Sequence, residues 1–267
     1  MSLRELAEAF EAARSENRAA FIGYLTGGYP DAVRCVEALV AMAEEGVDVL
    51  EVGVPFSDPI ADGATIQEAT AVALRNGTSP SEVLGIVREV RSRVGVPVVL
   101  LAYLNVLLRR GLERFAAEAR DSGVSAVIVP DLPLEESEPV ARAMRGSGIG
   151  VVLLASPTTS DGRLARILDA SDVFTYLVSV TGTTGERAEV PRSAVQLVRR
   201  AKSLRPSTRV AVGFGVSAPE HGKVLASEGA DGVVVGSRIV SLMKEGGVGA
   251  VREFARGFRR SLLRGLR

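Results

Sequence analysis

The chain has a single cysteine, Cys35, and a single histidine, His221, in 267 residues. One cysteine excludes an intrachain disulfide and a thiolate cage, and one histidine gives no basis for a His-rich metal site. Tryptophan is absent, and lysine is limited to Lys202, Lys223 and Lys244. The other basic residues are arginines, and the 32 basic side chains balance 32 acidic ones. That balance lacks the basic excess of a general nucleic-acid binder. Asparagine occurs only at Asn17, Asn76 and Asn105, and glutamine only at Gln67 and Gln196. Such scarcity is one mark of thermophile proteins, although a GC-rich genome accounts equally for the arginine bias. No apolar run reaches the ~18 residues of a membrane span. The N-terminal stretch Met1 to Glu16 reads as a charged amphipathic helix and not as a signal peptide. These absences point to a cytoplasmic protein with no membrane or nucleic-acid partner.

What is present is a strict alternation. Short runs rich in Val, Ile and Leu occur at Ala20 to Leu25, Val47 to Val54, Val96 to Leu101, Ser125 to Val129, Gly150 to Leu154, Val173 to Val178, Arg209 to Val212 and Gly232 to Val235. They are almost continuously apolar, as strands buried on both faces are. Helical patterns lie between them, at residues 31–45, 81–93, 112–122, 134–145, 162–169, 191–204 and 218–227, and a last one at 247–263. Alternation of this kind implies βαβ units and a parallel sheet. Eight units in 267 residues match a single-domain (β/α)8 TIM barrel spanning 1–267, with an extra N-terminal helix. An open doubly wound sheet usually carries G-x-G-x-x-G after its first strand. Here that place reads Thr26-Gly27-Gly28-Tyr29-Pro30.

Barrel enzymes hold their reactive groups at the C-terminal ends of strands and in the loops that follow. The second run reads Val-Asp-Val-Leu-Glu-Val-Gly-Val over residues 47–54, with Glu51 inside an apolar stretch. Alternation puts Val49, Glu51 and Gly53 on one face. A carboxylate there is costly unless it has a partner or a task. The plainer account is a carboxylate satisfied by one hydrogen bond near the barrel mouth. The loop that follows, Pro55 to Gly63, adds Asp58 and Asp62. Turn chemistry explains either aspartate alone. Two carboxylates in unlike environments also divide acid and base roles, and Glu51, Asp58 and Asp62 together would suit magnesium.

The last strands carry a different chemistry. Gly213-Phe214-Gly215-Val216-Ser217 and Gly236-Ser237-Arg238 each precede a helix, and Thr181 to Gly185 adds a third loop of small residues. Glycines allow close approach of backbone to ligand, and helix starts favour anions. Helix capping explains Ser217 or Ser237 singly. Three such loops near one another predict a phosphate site. Tyr24, Tyr103 and Tyr176 sit at or near strand ends, where they line a pocket for a flat apolar substrate or simply fill the core. Cys35 reads as core and His221 as surface, and Ser57 lies in no nucleophile elbow. The arginine-rich tail from Arg252 reads as a solvated helix packed on the barrel.

The segment from Leu50 to Gln67, LEVGVPFSDPIADGATIQ, closely resembles the signature of tryptophan synthase alpha subunits. Gly23 to Asp31, Tyr103 to Asn105, Val129 to Ser137, Ala155 to Thr158, Gly213 to Ser217 and Gly236-Ser237 match that family in kind and order, and together span nearly the whole chain. The resemblance implies a barrel that cleaves indole-3-glycerol phosphate to indole and glyceraldehyde 3-phosphate. It implies Glu51 as the residue that protonates the indole ring and Asp62 as the carboxylate facing the indole N–H. Phe21, Tyr24, Leu101 and Tyr103 fall where the family lines its indole pocket, and Tyr176 falls near the substrate hydroxyls. Gly185, Gly213, Phe214, Gly215, Gly236 and Ser237 fall where it holds phosphate. Pro55, Ser57 and Asp58 fall in the region that meets a beta subunit in an αββα complex. The family implies no metal and no cofactor in this chain, the pyridoxal phosphate belonging to beta. Two places depart from the pattern: Tyr29 stands where an aspartate often precedes the proline, and Gly182-Thr-Thr-Gly185 stands where Gly-Val-Thr-Gly is usual.

Two other readings compete. A different phosphate-binding barrel of the same pathway would typically place a lysine at a strand end, and all three lysines here fall in helical stretches. A non-catalytic subunit that binds a phosphorylated ligand and activates a partner would have no need of the Glu51 and Asp62 pair.

Overall fold

Eight apolar runs become one parallel sheet. The computed structural model describes residues 3–178, 190–213 and 215–263. Its strands are β1 (Ala20–Thr26), β2 (Val49–Gly53), β3 (Val98–Leu101), β4 (Val124–Ile128), β5 (Gly150–Val152), β6 (Leu154–Ala155), β7 (Phe174–Val178), β8 (Arg209–Gly213) and β9 (Gly232–Val235). They pair in the order β5-β4-β3-β2-β1-β9-β8-β7-β6, and every pairing is parallel. The two ends of that order, β5 and β6, are consecutive in the chain and separated only by Leu153. The sheet therefore closes on itself into the expected barrel, with the fifth strand divided in two. At the break the Leu153 amide donates to Ser171 Oγ at 3.1 Å, so a hydroxyl distant in the chain takes one rung of the ladder.

Helices pack outside the strands, as both-face burial requires. The N-terminal helix Leu3–Ser15 buries Leu6, Phe10 and Ala13. Phe10 meets Phe174, the first residue of β7, with ring centroids 5.2 Å apart. It also lies where a side chain on Gly232, the first residue of β9, would stand. This helix thus covers the N-terminal end of the barrel. Next to it, the buried Arg18 grips Asp48 through both terminal nitrogens, and Asp48 also accepts from the Phe21 amide at 2.7 Å. The opposite, C-terminal end is left for the site.

Three helical stretches escape the sequence pattern. Ala64–Arg75 buries Ile66, Ala69, Thr70 and Ala73, a face of small residues with little hydrophobic contrast. Leu104–Arg110 is only seven residues long. The last helix begins at Ser237, ten residues before the pattern, and Gly247 at φ 65° kinks it. Cys35 is core, as expected, and burial pushes its thiol up to about 12.

Candidate active site

Glu51 is the centre from which the site is built. In the β1–β2 register it stands opposite Tyr24, and in the β2–β3 register opposite Val99. Its side chain points into the barrel and is 1% exposed. Among the described residues, its Oε2 has no hydrogen-bond partner. A buried carboxyl with an unpartnered oxygen is held as the neutral acid, because burial penalises the charged form. Burial, and then the negative charge of Asp62, push Glu51 up to about 8. At neutral pH it carries a proton and can donate it.

Asp62 sits on the loop after β2 and is 6% exposed. Burial pushes it up to about 6, and a hydrogen bond from the Tyr103 hydroxyl partly offsets that rise. At neutral pH Asp62 is mostly ionised while Glu51 is mostly protonated. The environments of the two carboxyls thus separate an acid from a carboxylate. The loop is held in place from several sides. The Ala61 amide donates to Tyr103 Oη at 3.0 Å, and Gln67 Nε2 donates to the Asp62 carbonyl at 2.9 Å. The Tyr103 ring stacks on Phe56, with centroids 5.2 Å apart. Tyr103 therefore reaches the site through Asp62. Tyr103→Phe is expected to raise the Asp62 pKa above about 6, because only the offsetting hydrogen bond is removed. Carboxyl carbon shifts followed by NMR titration would read that movement, and an unchanged Asp62 titration would contradict the arrangement.

Glu51 and Asp62 line one small cavity with Tyr24, Leu101, Tyr176, Gly215, Gly236 and Ser237. Two glycines make room for its tyrosines. A Cβ on Gly53 would lie 2.3 Å from Tyr24 Oη, and one on Gly213 would lie 2.0 Å from Tyr176 Oη. Burial holds both phenols far above their ordinary range, so both remain neutral donors. Tyr24 is further fixed by a 3.1 Å bond to Thr26 Oγ1. On the far wall, Gly215 takes φ +88°, a conformation suited to glycine. Gly236 and Ser237 open the helix Ser237–Ser261, so the N–H groups of its first turn start at the cavity wall. A helix start beside glycine backbone favours an anion such as phosphate.

The structure brings most of the expected residues together and moves some away. Phe21 does not join the cavity. It is one residue out of phase with Ile22 and Tyr24, so it faces the outer helices and packs on Phe258, with centroids 4.9 Å apart. The magnesium alternative also falls. Asp58 is exposed and bonded to Ser57 Oγ at 2.6 Å, away from the buried Glu51 and Asp62. Among the described residues, no cluster of His, Cys, Asp or Glu could hold a metal ion. Pro55, Ser57 and Asp58 instead line a surface groove at the rim with Asn105, Val106 and Leu108. Ile60, 78% exposed, stands on the same loop. Gly185 and Phe214 lie outside the described residues. Sequence reasoning missed Ile66 and Val234, which also line the cavity. Ile66 comes from the helix Ala64–Arg75, whose weak apolar contrast leaves no clear signal in the sequence. His221, read as surface, is instead buried and accepts a hydrogen bond from the Ser217 amide.

With this geometry in hand, comparison with known proteins is specific. The sequence profile described as "Tryptophan synthase alpha chain" matches residues 10–258. The chain is 44% identical over 246 residues to the tryptophan synthase alpha chain of Prochlorococcus marinus (strain MIT 9313), covering 92% of this chain and 89% of that protein. It is 41% identical to that of Arabidopsis thaliana, covering 90% and 87%. Among solved structures, a chain of Mycobacterium tuberculosis tryptophan synthase superposes with a TM-score of 0.91 at 36% identity, covering 97% of this chain and 98% of that one. A chain of the tryptophan synthase a2b2 complex from Pyrococcus furiosus superposes with a TM-score of 0.84 at 45% identity, covering 92% and 98%.

Proposed function

The chain belongs to the tryptophan synthase alpha chain family, and we propose that Glu51 and Asp62 carry out that family's cleavage of indole-3-glycerol phosphate in this protein. The observation that supports this most directly is the pair of carboxyls with divided protonation in one cavity, beside a helix start suited to phosphate. Cleavage needs a proton on the indole carbon that bears the side chain, and Glu51 is the group that holds one there. Protonation puts positive charge on the indole ring. The ionised Asp62, facing the ring N–H, stabilises that charge. The carbon–carbon bond then breaks, its electrons returning to the ring. The neighbouring glycerol hydroxyl becomes the aldehyde of glyceraldehyde 3-phosphate, and its proton returns to the Glu51 carboxylate.

Tyr24 and Leu101 form walls for the indole ring, and Tyr176 is placed to bond the glycerol hydroxyls. Gly213, Gly215, Gly236 and Ser237, with Gly185 and Phe214, hold the phosphate. Binding energy from that remote group orients the reacting carbon. None of these steps calls for a cofactor in this chain. The same reading takes residues 1–267 as one barrel domain in the cytoplasm. Its partner is a tryptophan synthase beta subunit, carrying pyridoxal phosphate, in an αββα complex. The rim with Pro55, Ser57 and Asp58 is the face it would meet, and the exposed Ile60 and Leu108 give that rim apolar surface to cover.

The test is indole release from indole-3-glycerol phosphate by the purified chain, with and without a beta subunit. Release is expected, rising when beta is added. No release in either condition from a folded protein would overturn the catalytic reading and leave a phosphate-binding subunit.

A further inference from the structure

His221 is the only histidine in the chain, and the cleavage reaction as derived above does not use it. It lies on the helix Pro219–Ser227 and is 4% exposed. A buried imidazole is uncommon enough to ask what it bonds. Its Nδ1 accepts a hydrogen bond from the Ser217 amide at 3.3 Å. The local sequence explains why. The residue at the helix N-cap is Ala218, whose side chain has no acceptor, and Pro219 follows it. In a capping box, the third residue of the helix reaches back to a backbone amide at the helix entry. His221 is that third residue, and it bonds the amide just before the cap. The helix that carries it is itself well seated. A side chain on Gly222 would collide with Leu262 and Phe258 of the last helix, so the two helices touch almost backbone to side chain there.

The pinned amide ends the loop that begins at Gly213 and contains Gly215, a wall of the cavity beside Gly236 and Ser237. Gly215 takes φ +88°, a conformation that glycine adopts freely, and the stretch after it is held by the core-packed Val216 side chain and by the Ser217 amide bonded to His221. We propose that His221 is a positioning residue for phosphate, its imidazole fixing the entry of the helix after β8 and thereby the Gly215 backbone against the substrate's phosphate group. This rests on the phosphate site proposed above, and the chemical class it serves is a phosphate monoester.

His221→Phe tests this, because it keeps a ring of similar size and removes the acceptor. Glycerol 3-phosphate, titrated calorimetrically into the purified chain, is expected to bind about fivefold to tenfold more weakly, the worth of one net hydrogen bond. KM for indole-3-glycerol phosphate should rise in parallel while kcat is unchanged. His221→Asn, which restores an acceptor near the Nδ1 position, should bind as the unaltered chain does. Affinity for indole-3-propanol, which has no phosphate, should be the same in all three. His221→Leu replaces the phenylalanine variant if the larger ring prevents folding. Equal binding of glycerol 3-phosphate by the unaltered chain and the acceptor-free variant would overturn the inference, as would an equal loss of indole-3-propanol binding. Failure of cleavage does not touch this readout, since the titration needs no turnover. An unaltered chain that binds no glycerol 3-phosphate would overturn it whatever its activity.

Discussion

Glu51→Gln is expected to remove indole release, by about 10²–10⁴-fold in kcat, the usual contribution of a positioned acid. An amide of nearly the same shape fills the same place in the barrel but has no acidic proton to give. The same variant is expected to become more stable relative to the unaltered chain as pH rises. In the folded chain burial and the charge of Asp62 push Glu51 up to about 8, against an ordinary value of 4.5. Between those two values the folded state keeps a proton that the unfolded state has released. Stability of the unaltered chain must therefore fall as pH rises across that window, reaching its full cost above about 8. Glutamine has no such proton, so the variant lacks that slope. It does bury two amide N–H donors, and an unsatisfied donor costs about 1–3 kcal/mol at every pH. The difference in melting temperature between the two proteins, followed from pH 5 to pH 8.5, separates the terms. The constant offset reports the amide, and the slope reports the carboxyl. A Glu51→Gln protein that still releases indole at the normal rate would refute the catalytic assignment. A flat difference in melting temperature would show that Glu51 is not a buried neutral acid.

Much of this was legible in the sequence because the two strongest signals are contrasts. A lone glutamate in the apolar run Val47 to Val54 violates the burial pattern, and the structure shows it buried without a partner on Oε2. Val/Ile/Leu runs separated by amphipathic stretches specify a closed parallel sheet almost by count. The losses are of a different kind. The division of the fifth strand depends on Ser171, a hydroxyl 18 positions away in the chain, which no local pattern reveals. Resemblance places Phe21 in the pocket, but alternation along Ala20–Thr26 puts it out of phase with Tyr24, and it packs on Phe258 instead. The helix Ala64–Arg75 shows a weak apolar stripe because its buried face is mainly alanine and threonine. His221 followed Pro219-Glu220 at a helix start, which reads as surface. Its burial depends on Gly222 and the close approach of the last helix, a tertiary contact between residues far apart in sequence. Sequence thus singled out the two carboxyls that the structure buries in one cavity, and it named Tyr103, while the bonds that Tyr103 and His221 make to their neighbouring loops are visible only in the packing.

Asp62→Asn is the second large effect, expected to lower kcat by about 10²–10³-fold, the scale of losing one aligned electrostatic stabiliser. Asparagine fills the same volume and can still accept a hydrogen bond from the indole N–H. It has no charge with which to stabilise the positive ring that forms on protonation. The pH profile distinguishes this from a simple loss of fit. In the unaltered chain, activity needs Asp62 ionised and Glu51 protonated. The rate should therefore fall below about 6 on the acid side and above about 8 on the alkaline side. In the variant, no group remains to set the acid limb, and the residual rate should stay level as pH falls through 6. The alkaline limb should move as well. Part of the rise in Glu51 comes from the negative charge of Asp62, and removing that charge lets Glu51 ionise at lower pH. Steady-state indole release measured from pH 5 to pH 9 on both proteins would show the two changes together. An acid limb that persists unchanged in Asp62→Asn would mean that another group sets it. An alkaline limb that does not move would mean that Glu51 and Asp62 do not share one site. Each outcome would separate the two carboxyls that the cavity brings together, and the division of labour between them stands on their being coupled.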